Sequence, residues 1–188
     1  MTRPLLQIIV GSTRPGRAGA PVAEWFEREA DKHGGFDLEL VDLAKVDLPM
    51  FDEPVHPMRG EYVGQHTLDW SATVERADSF VFITPEYNGG YPAALKNALD
   101  YLNAEWRYKA VGFVSYGGVA AGKLAVGQLK QVVTTLRMFP VANGVHIPFI
   151  GEKLVDGTIE ANEIMAAGVT AMLDELLLIG SPLATLRS

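Results

Sequence analysis

Residues 5–21 read LLQIIVGSTRPGRAGAP, an apolar run followed by a glycine-rich loop and the beginning of a helix. The run Leu5–Val10 consists mostly of branched apolar residues with almost no polar alternation. This is typical of a strand buried on both faces of a parallel sheet. Pro21 suits the first turn of a helix, where its missing N–H group is not needed. The stretch therefore predicts a strand, a binding loop and a helix in direct succession.

The rest of the chain repeats this alternation of strands and helices. Two more apolar runs, residues 79–84 and 110–115, predict further buried strands, and residues 141–147 predict a fifth. The segment FDLELVDL from Phe36 alternates apolar and acidic residues, so we expect a strand with one wet face at a sheet edge. Helical spacing of apolar residues occurs in three segments: Val22, Trp25, Phe26 and Ala30; Leu129, Val132, Val133 and Leu136; and EIMAAGVTAMLDELLL.

Strands that alternate with helices predict an α/β domain with right-handed crossovers. Five strands with the second at an edge predict a flavodoxin-like three-layer sandwich, in which a five-stranded parallel sheet has the order 2-1-3-4-5. We expect residues 1–188 to form this single domain. Residues 45–66 contain three prolines and predict a long loop, which either borders the site or is a solvated excursion. In such sheets ligands bind beyond the carboxyl ends of the strands, so the loops after strands one, three and four are the expected binding loops.

The composition excludes several classes of function. The formal net charge of −7 argues against a general binder of nucleic acid or anionic membranes. There is no cysteine, which removes disulfides, thiolate nucleophiles and cysteine metal sites, and the four histidines have no ligand spacing. Leu5–Val10 is too short for a signal peptide, and residues 176–179 are too short to span a bilayer. We therefore expect a cytoplasmic protein without a metal site.

The loop after the first strand, GSTRPGRAG, has the features of an anion site. Free N–H groups and the positive end of a helix dipole would face it. Hydroxyl and guanidinium groups that can bind phosphate come from Ser12, Thr13, Arg14 and Arg17. Gly11 and Gly16 have Walker A spacing, but Arg17 and Ala18 stand where Lys and Ser/Thr are required, and Thr13 replaces a Rossmann glycine. The loop fits neither an NTPase nor a dinucleotide fold, and a helix-capping turn with exposed arginines is the alternative.

The other two loops also have residues suited to ligand binding. PEYNGG, residues 85–90, begins with a proline, whose backbone is rigid, and continues with residues that tolerate positive φ. It exposes backbone amides, and Tyr87 suits a flat heteroaromatic ligand; the alternative is a tight strand-to-helix connection. In SYGG, residues 115–118, paired glycines let the backbone approach a ligand whose edge Ser115 or Tyr116 can hydrogen-bond. We expect all three loops to meet at one site.

Together these motifs resemble those of the NADPH-dependent FMN reductase family, a flavodoxin-like family that also contains quinone, azo-dye and chromate reductases. The resemblance covers roughly residues 5–147. It implies that the FMN phosphate is bound by Ser12, Thr13, Arg14 and Arg17, with Gly19 at the helix entry. It also implies that Pro85, Glu86, Tyr87, Asn88 and Gly89 lie along the isoalloxazine, and that Ser115, Tyr116, Gly117 and Gly118 close its other side.

The resemblance further implies an FMN-dependent NAD(P)H oxidoreductase. It would pass electrons from NADPH or NADH to a flavin, a quinone or a similar small-molecule acceptor by a ping-pong mechanism. Because the flavin performs the chemistry, no catalytic acid, base or nucleophile is nominated. A homodimer or homotetramer with flavins near a subunit interface is also implied. Two alternatives stay open: an electron-transfer or redox-sensing flavoprotein without its own NAD(P)H oxidase activity, and a non-flavin mononucleotide or anion-binding protein.

Overall fold

A computed structural model describes residues 3–187 and contains a parallel sheet between two layers of helices. The sheet strands are β1 Leu5–Val10, β2 Asp37–Asp42, β3 Ser79–Pro85, β4 Ala110–Tyr116, β5 Phe139–Pro140 and β6 Val145–Ile147. The helices are α1 Gly19–His33, α2 Leu43–Val46, α3 Gln65–Glu75, α4 Ala93–Asp100, α5 Lys123–Thr135, α6 Ile150–Lys153 and α7 Glu163–Ala184. Two 3-10 turns, Pro57–Arg59 and Ala104–Trp106, and a hairpin of β7 Leu154–Val155 and β8 Thr158–Ile159 complete the chain.

The strand order 2-1-3-4-5 confirms the predicted sheet, and every pair within it is parallel. At the carboxyl edge Val10 is aligned with Asp42 on one side and with Ile83 on the other. Pro85 is aligned with Tyr116 across the next pair of strands. The loops that follow β1, β3 and β4 therefore emerge beside one another, as the sequence predicts.

The fifth strand differs from the prediction because it is divided into β5 and β6, which both pair with β4. Between them the chain leaves the sheet and contacts α7. The Glu175 carboxylate accepts the backbone N–H groups of Ala142 and Asn143 at 2.9 and 2.8 Å. Since these donors are bonded to a side chain on α7, they do not extend the ladder with β4.

Helix α3 was not predicted, because its sequence, QHTLDWSATVE, has only a weak apolar face. Its inner side buries Thr67, Trp70 and Val74. Residues 47–64, which precede α3, contain only one short 3-10 turn, so the predicted long loop is confirmed over this part of residues 45–66. Helices α1 and α5 agree with the predicted segments, and α7 continues beyond its predicted segment to Ala184.

The sheet divides the hydrophobic core into two layers, which confirms the three-layer sandwich. On one face α1 and α7 pack against the sheet, with Phe26 and Leu173 fully buried between them. On the other face α3, α4 and α5 enclose a cluster of aromatic side chains. The ring of Trp106 lies 5.1 Å from that of Phe80 and 6.3 Å from that of Phe82, measured between ring centroids. These cores hold the strands rigidly below the three loops.

Helix α7 is long and apolar. It has 22 residues, and the mean hydropathy of its most apolar stretch is 1.6. By length and composition alone, such a helix is able to cross a membrane. Core helices of proteins without a membrane segment share this property, and α7 buries Val169, Met172, Leu173 and Leu176 against the rest of the fold. The absence of a membrane segment therefore stays a prediction.

Candidate functional site

The candidate site is formed by three loops at the carboxyl edge of the sheet. We define the first loop as residues 11–18, the second as residues 86–92 and the third as residues 117–122. The first loop is tied to β3 where it begins, since the Gly11 N–H donates to the Ile83 carbonyl at 2.9 Å. The second is tied to β4, since the Glu86 N–H donates to the Tyr116 carbonyl at 3.1 Å. The sheet thus sets the positions from which the loops start.

The first loop offers backbone donors at the beginning of α1. The N–H groups of Ser12, Thr13 and Gly19 have no hydrogen-bond acceptor within residues 3–187. Ala18, the residue that caps α1, has no side chain that can accept from the first turn of the helix. Free donors and the positive end of the helix dipole together favour an anionic ligand.

The two arginines of the first loop have different partners. An Arg17 terminal nitrogen lies 2.5 Å from Asp42 Oδ2, and the two side chains are 18% and 12% exposed. The other Asp42 oxygen accepts the Ala44 N–H at 3.0 Å, which caps α2. The Nε–H of Arg17 is buried and has no acceptor in the described part of the chain. Arg14, by contrast, is exposed and has no ion-pair or hydrogen-bond partner there. The unpaired positive charge of the loop is therefore that of Arg14.

The second loop contains a tight turn. Tyr87 and Gly90 exchange both backbone hydrogen bonds, at 2.8 and 3.0 Å. Between them Asn88 and Gly89 have φ values of +52° and +79°. This Asn-Gly pair has the positive φ angles of a type I′ turn, which glycine adopts without strain and asparagine tolerates better than most residues. The N–H groups of Asn88 and Gly89 have no acceptor among residues 3–187, so the turn presents them to a ligand.

Helix α5 holds this turn in place. The Glu86 carboxylate accepts the backbone N–H of Leu124 in the first turn of α5 at 3.1 Å. One turn further along, the Gln128 side-chain amide donates to the Gly89 carbonyl at 2.9 Å. The second loop is therefore connected to α5 through two side chains, one from each partner. Glu86 is occupied in this contact.

Ser115 supports the third loop from inside the protein. Its hydroxyl is fully buried and donates to the Ala121 carbonyl at 2.8 Å. Its Oγ also lies 2.7 Å from Nδ1 of His146. Since the single hydroxyl hydrogen goes to Ala121, Nδ1 of His146 carries the proton that is donated to Ser115. Burial, together with the charges of Lys123 and Lys130, lowers the pKa of His146, which favours the neutral ring, here with its proton on Nδ1.

Hydroxyl groups from all three motifs lie close to the beginning of α1. Ser12 Oγ is 2.6 Å from Tyr87 Oη. Tyr116, at the end of β4, is almost fully buried, and its hydroxyl lies 2.9 Å from the position that a Cβ on Gly19 would have. Burial raises the pKa of Tyr116, and the neighbouring Tyr87 raises it further, so the phenol is neutral.

The structure brings the predicted site residues to one edge of the sheet, but they differ in exposure. Exposed residues are Thr13, Arg14, Tyr87, Asn88 and Gly118. Partly buried residues are Arg17, Glu86, Gly89 and Gly117. Buried residues are Ser12, Gly19, Pro85, Ser115 and Tyr116. The exposed and partly buried residues are placed to contact a ligand, whereas the buried ones shape the loops. Their contacts with FMN stay predictions.

A cavity of about 410 Å³ reaches the first loop at Thr13. Leu48 and Met50, from the long loop before α3, line it together with Ala94 at the start of α4. The long loop thus borders the candidate site. A separate cavity of about 370 Å³ lies at the opposite edge of the sheet, beside α7, and contains none of the predicted site residues. Within residues 3–187, no group of three or more acidic and histidine side chains is placed to hold a metal ion.

Three residues that shape the site were missed from the sequence: Asp42, Gln128 and His146. Asp42 had a usable signal, because it ends the predicted edge strand in register with Val10, next to the first loop. Gln128 lies on the outer side of an amphipathic helix, where polar residues are ordinary. His146 was one of several histidines without ligand spacing, so nothing in the pattern indicates its contact with Ser115.

Comparison with known proteins identifies the family. The profile of the family described as NADPH-dependent FMN reductase matches residues 4–151. An NAD(P)H-dependent FMN reductase of Schizosaccharomyces pombe is 41% identical over 159 residues, which are 84% of this chain and 79% of the relative. The NAD(P)H-dependent FMN reductase LOT6 of Saccharomyces cerevisiae is 35% identical over 193 residues, covering 96% of this chain and 97% of the relative.

A solved structure supports the fold. The flavoenzyme NAD(P)H:(acceptor) oxidoreductase FerB from Paracoccus denitrificans superposes with a TM-score of 0.74 at 22% sequence identity. The match covers 94% of this chain and 98% of FerB. At this identity the likeness concerns the arrangement of strands and helices.

The third loop generates a test of its geometry at Gly122, which has a φ of +80°. A Cβ at this position would lie 2.6 Å from Ser115 Cβ and 2.8 Å from the Tyr116 backbone nitrogen. We expect Gly122→Ala to lower the free energy of unfolding by about 2 kcal/mol or more, because strain and overlap add. Urea unfolding measures the change.

Gly118→Ala is the matched control in the same loop, because a Cβ there meets no atom within 4 Å. Its free energy of unfolding should stay within about 0.5 kcal/mol of that of the unaltered protein. Equal stability of the two variants would show that the loop does not have the geometry described.

Proposed function

Because the chain belongs to the NADPH-dependent FMN reductase family, we propose that it passes electrons from NADPH or NADH to a flavin, a quinone or a similar small acceptor. It is an oxidoreductase of flavodoxin-like fold that uses FMN and NAD(P)H. One observation carries the proposal for the site: among residues 3–187, three loops with free N–H groups meet beside an arginine that has no acidic partner.

The first loop suits the FMN phosphate. The N–H group of the exposed residue Thr13 would donate to phosphate oxygens at the positive end of α1, and the buried residues Ser12 and Gly19 would shape this part of the loop. Arg14 would add a charge-assisted contact, because its guanidinium is exposed and unpaired within residues 3–187. Arg17, whose side chain is 18% exposed, would add a second guanidinium group beside the phosphate while Asp42 holds one of its terminal nitrogens. A dianionic group is thus favoured here although the chain as a whole is acidic.

The second and third loops suit the isoalloxazine. The free amides of Asn88 and Gly89 would bond the polar edge of the ring. The exposed backbone of Gly118 would approach it from the other side. Bound FMN supplies hydride acceptance from a nicotinamide and onward electron transfer, and the residues of this chain bind and orient it.

Exposed apolar side chains surround this part of the site. Tyr87 is 38%, Leu124 57% and Val119 82% exposed. They would receive the nicotinamide and the acceptor in turn on one open face, since flat aromatic molecules pack well on such surfaces. This supports ping-pong kinetics, and steady-state rates that require a ternary complex would contradict it.

We further propose a cytoplasmic homodimer or homotetramer. Support for an oligomer comes from the long loop before α3, where Met50, Met58 and Val63 are 77%, 66% and 68% exposed. Exposed apolar side chains grouped on one segment are typical of a protein contact surface.

The proposed activity is tested by a visible absorption spectrum. We expect protein mixed with FMN and then desalted to keep flavin bands, because the loops offer both a phosphate and a ring site. Adding NADPH without oxygen should bleach these bands. Bands that remain unbleached with both NADPH and NADH would favour an electron carrier or redox sensor. A titration in which FMN does not bind at all would contradict the proposal.

The phosphate site is tested by Arg14→Ala, with affinities measured for FMN and for riboflavin, which lacks the phosphate. Loss of a charged hydrogen-bond donor should weaken FMN binding about tenfold or more. Riboflavin affinity should change little. Arg28→Ala is the matched control, because Arg28 is exposed on α1 away from the three loops. Equal weakening of both flavins by Arg14→Ala would mean that Arg14 does not bind the phosphate.

A further inference from the structure

The first and second loops are joined by a hydrogen bond between two hydroxyl groups. Ser12 Oγ and Tyr87 Oη are 2.6 Å apart, although the residues are separated by 75 positions in the chain. A distance of 2.6 Å lies at the short end of the range for hydrogen bonds between oxygens. Ser12 is fully buried, and such a bond is stronger where water is excluded.

Both ends of this contact are attached to rigid parts of the fold. Ser12 follows β1 after Gly11, whose N–H is bonded to Ile83 of β3. The backbone of Tyr87 belongs to the tight turn that Gln128 of α5 holds through Gly89. The tyrosine side chain therefore spans from one fixed loop to another, and its hydroxyl defines how far apart they lie.

The contact also limits what Ser12 can offer to a ligand. Its hydroxyl has no exposed surface, lies against the Tyr87 hydroxyl and is also within hydrogen-bonding reach of the Tyr116 hydroxyl, so it is enclosed by protein groups. Tyr87, in turn, keeps 38% of its surface exposed while its hydroxyl is bonded. The hydrogen bond thus serves the arrangement of the loops.

We propose that the Ser12–Tyr87 hydrogen bond sets the spacing between a phosphate site on the first loop and a ring site on the second, making both residues positioning residues for FMN. This rests on the proposed function and deepens it. A ligand whose two ends bind two sites gains affinity only when the sites are held at a matching distance. Preorganised loops also avoid the cost of ordering when the ligand binds.

This role has a signature that a simple ring contact lacks. FMN occupies both loops, so its affinity depends on their spacing. Lumiflavin has the same ring system without the ribityl phosphate, so it depends on the second and third loops alone. Removal of the Ser12–Tyr87 bond should therefore weaken FMN binding and leave lumiflavin binding unchanged.

The experiment compares Tyr87→Phe, Ser12→Ala and the double variant, with dissociation constants for FMN and lumiflavin measured by calorimetry or by quenching of flavin fluorescence. Each single variant should weaken FMN about five- to tenfold, as expected for one lost hydrogen bond. The double variant should be no weaker than Ser12→Ala alone, because the bond to Tyr87 is already absent in Ser12→Ala, whose side chain also lies against Tyr116. Lumiflavin binding that persists shows that each variant is folded.

Tyr91→Phe is the matched control. Tyr91 lies in the same loop, and its hydroxyl has no hydrogen-bond partner within residues 3–187. This variant should bind FMN and lumiflavin as the unaltered protein does.

Three results would overturn the inference. Unchanged FMN affinity in Tyr87→Phe would show that the bond does not set the spacing. Equal weakening of FMN and lumiflavin would assign the hydroxyl to the ring site, and additive losses in the double variant would show two separate contacts. Each of these leaves the proposed function standing. An unaltered protein that binds neither flavin would instead refute the proposed function and this inference with it.

Discussion

The parallel pairing of β1 with its neighbours β2 and β3 is the constraint on which the rest of the site depends. Hydrogen bonds in a parallel ladder fix the register of each strand, and here they align Val10 with Asp42 and with Ile83. Since all strands point the same way, the loops that follow β1, β3 and β4 emerge at one edge. Free amides that are far apart in the chain thereby come to lie at one edge of the sheet.

Polar side chains from other elements then hold the loops in shape. Asp42 holds Arg17, His146 donates to Ser115, and Gln128 donates to Gly89. Buried polar groups need such partners, because an unsatisfied donor or acceptor away from water costs about 1–3 kcal/mol. The loops are therefore fixed by contacts to β2, β6 and α5, while their outward backbone amides remain available.

Local charge differs from the charge of the whole chain. The formal net charge is −7, yet the first loop has the positive end of α1 and, as far as the described part of the chain shows, free N–H groups and an unpaired guanidinium on Arg14. Asp42 offsets the charge of Arg17 at 2.5 Å, so the region carries less excess positive charge than its two arginines imply. An anion is favoured at this one edge because helix ends and side chains act over short distances in water with salt.

The sequence alone determined the strands, their order and the three loop motifs, because buried strands and turn-forming residues leave local patterns. Leu5–Val10 agrees with the prediction to the residue, and acidic alternation identified β2 as the edge strand. Only the tertiary structure decided that Glu175 interrupts the fifth strand between β5 and β6. It also decided which side chains contact Arg17, Ser115 and Ser12. These contacts join residues 25 to 75 positions apart, which strand pairing and the packing of helices and loops on the sheet bring together. A local pattern contains no record of such distances, because they depend on how every layer of the core is filled.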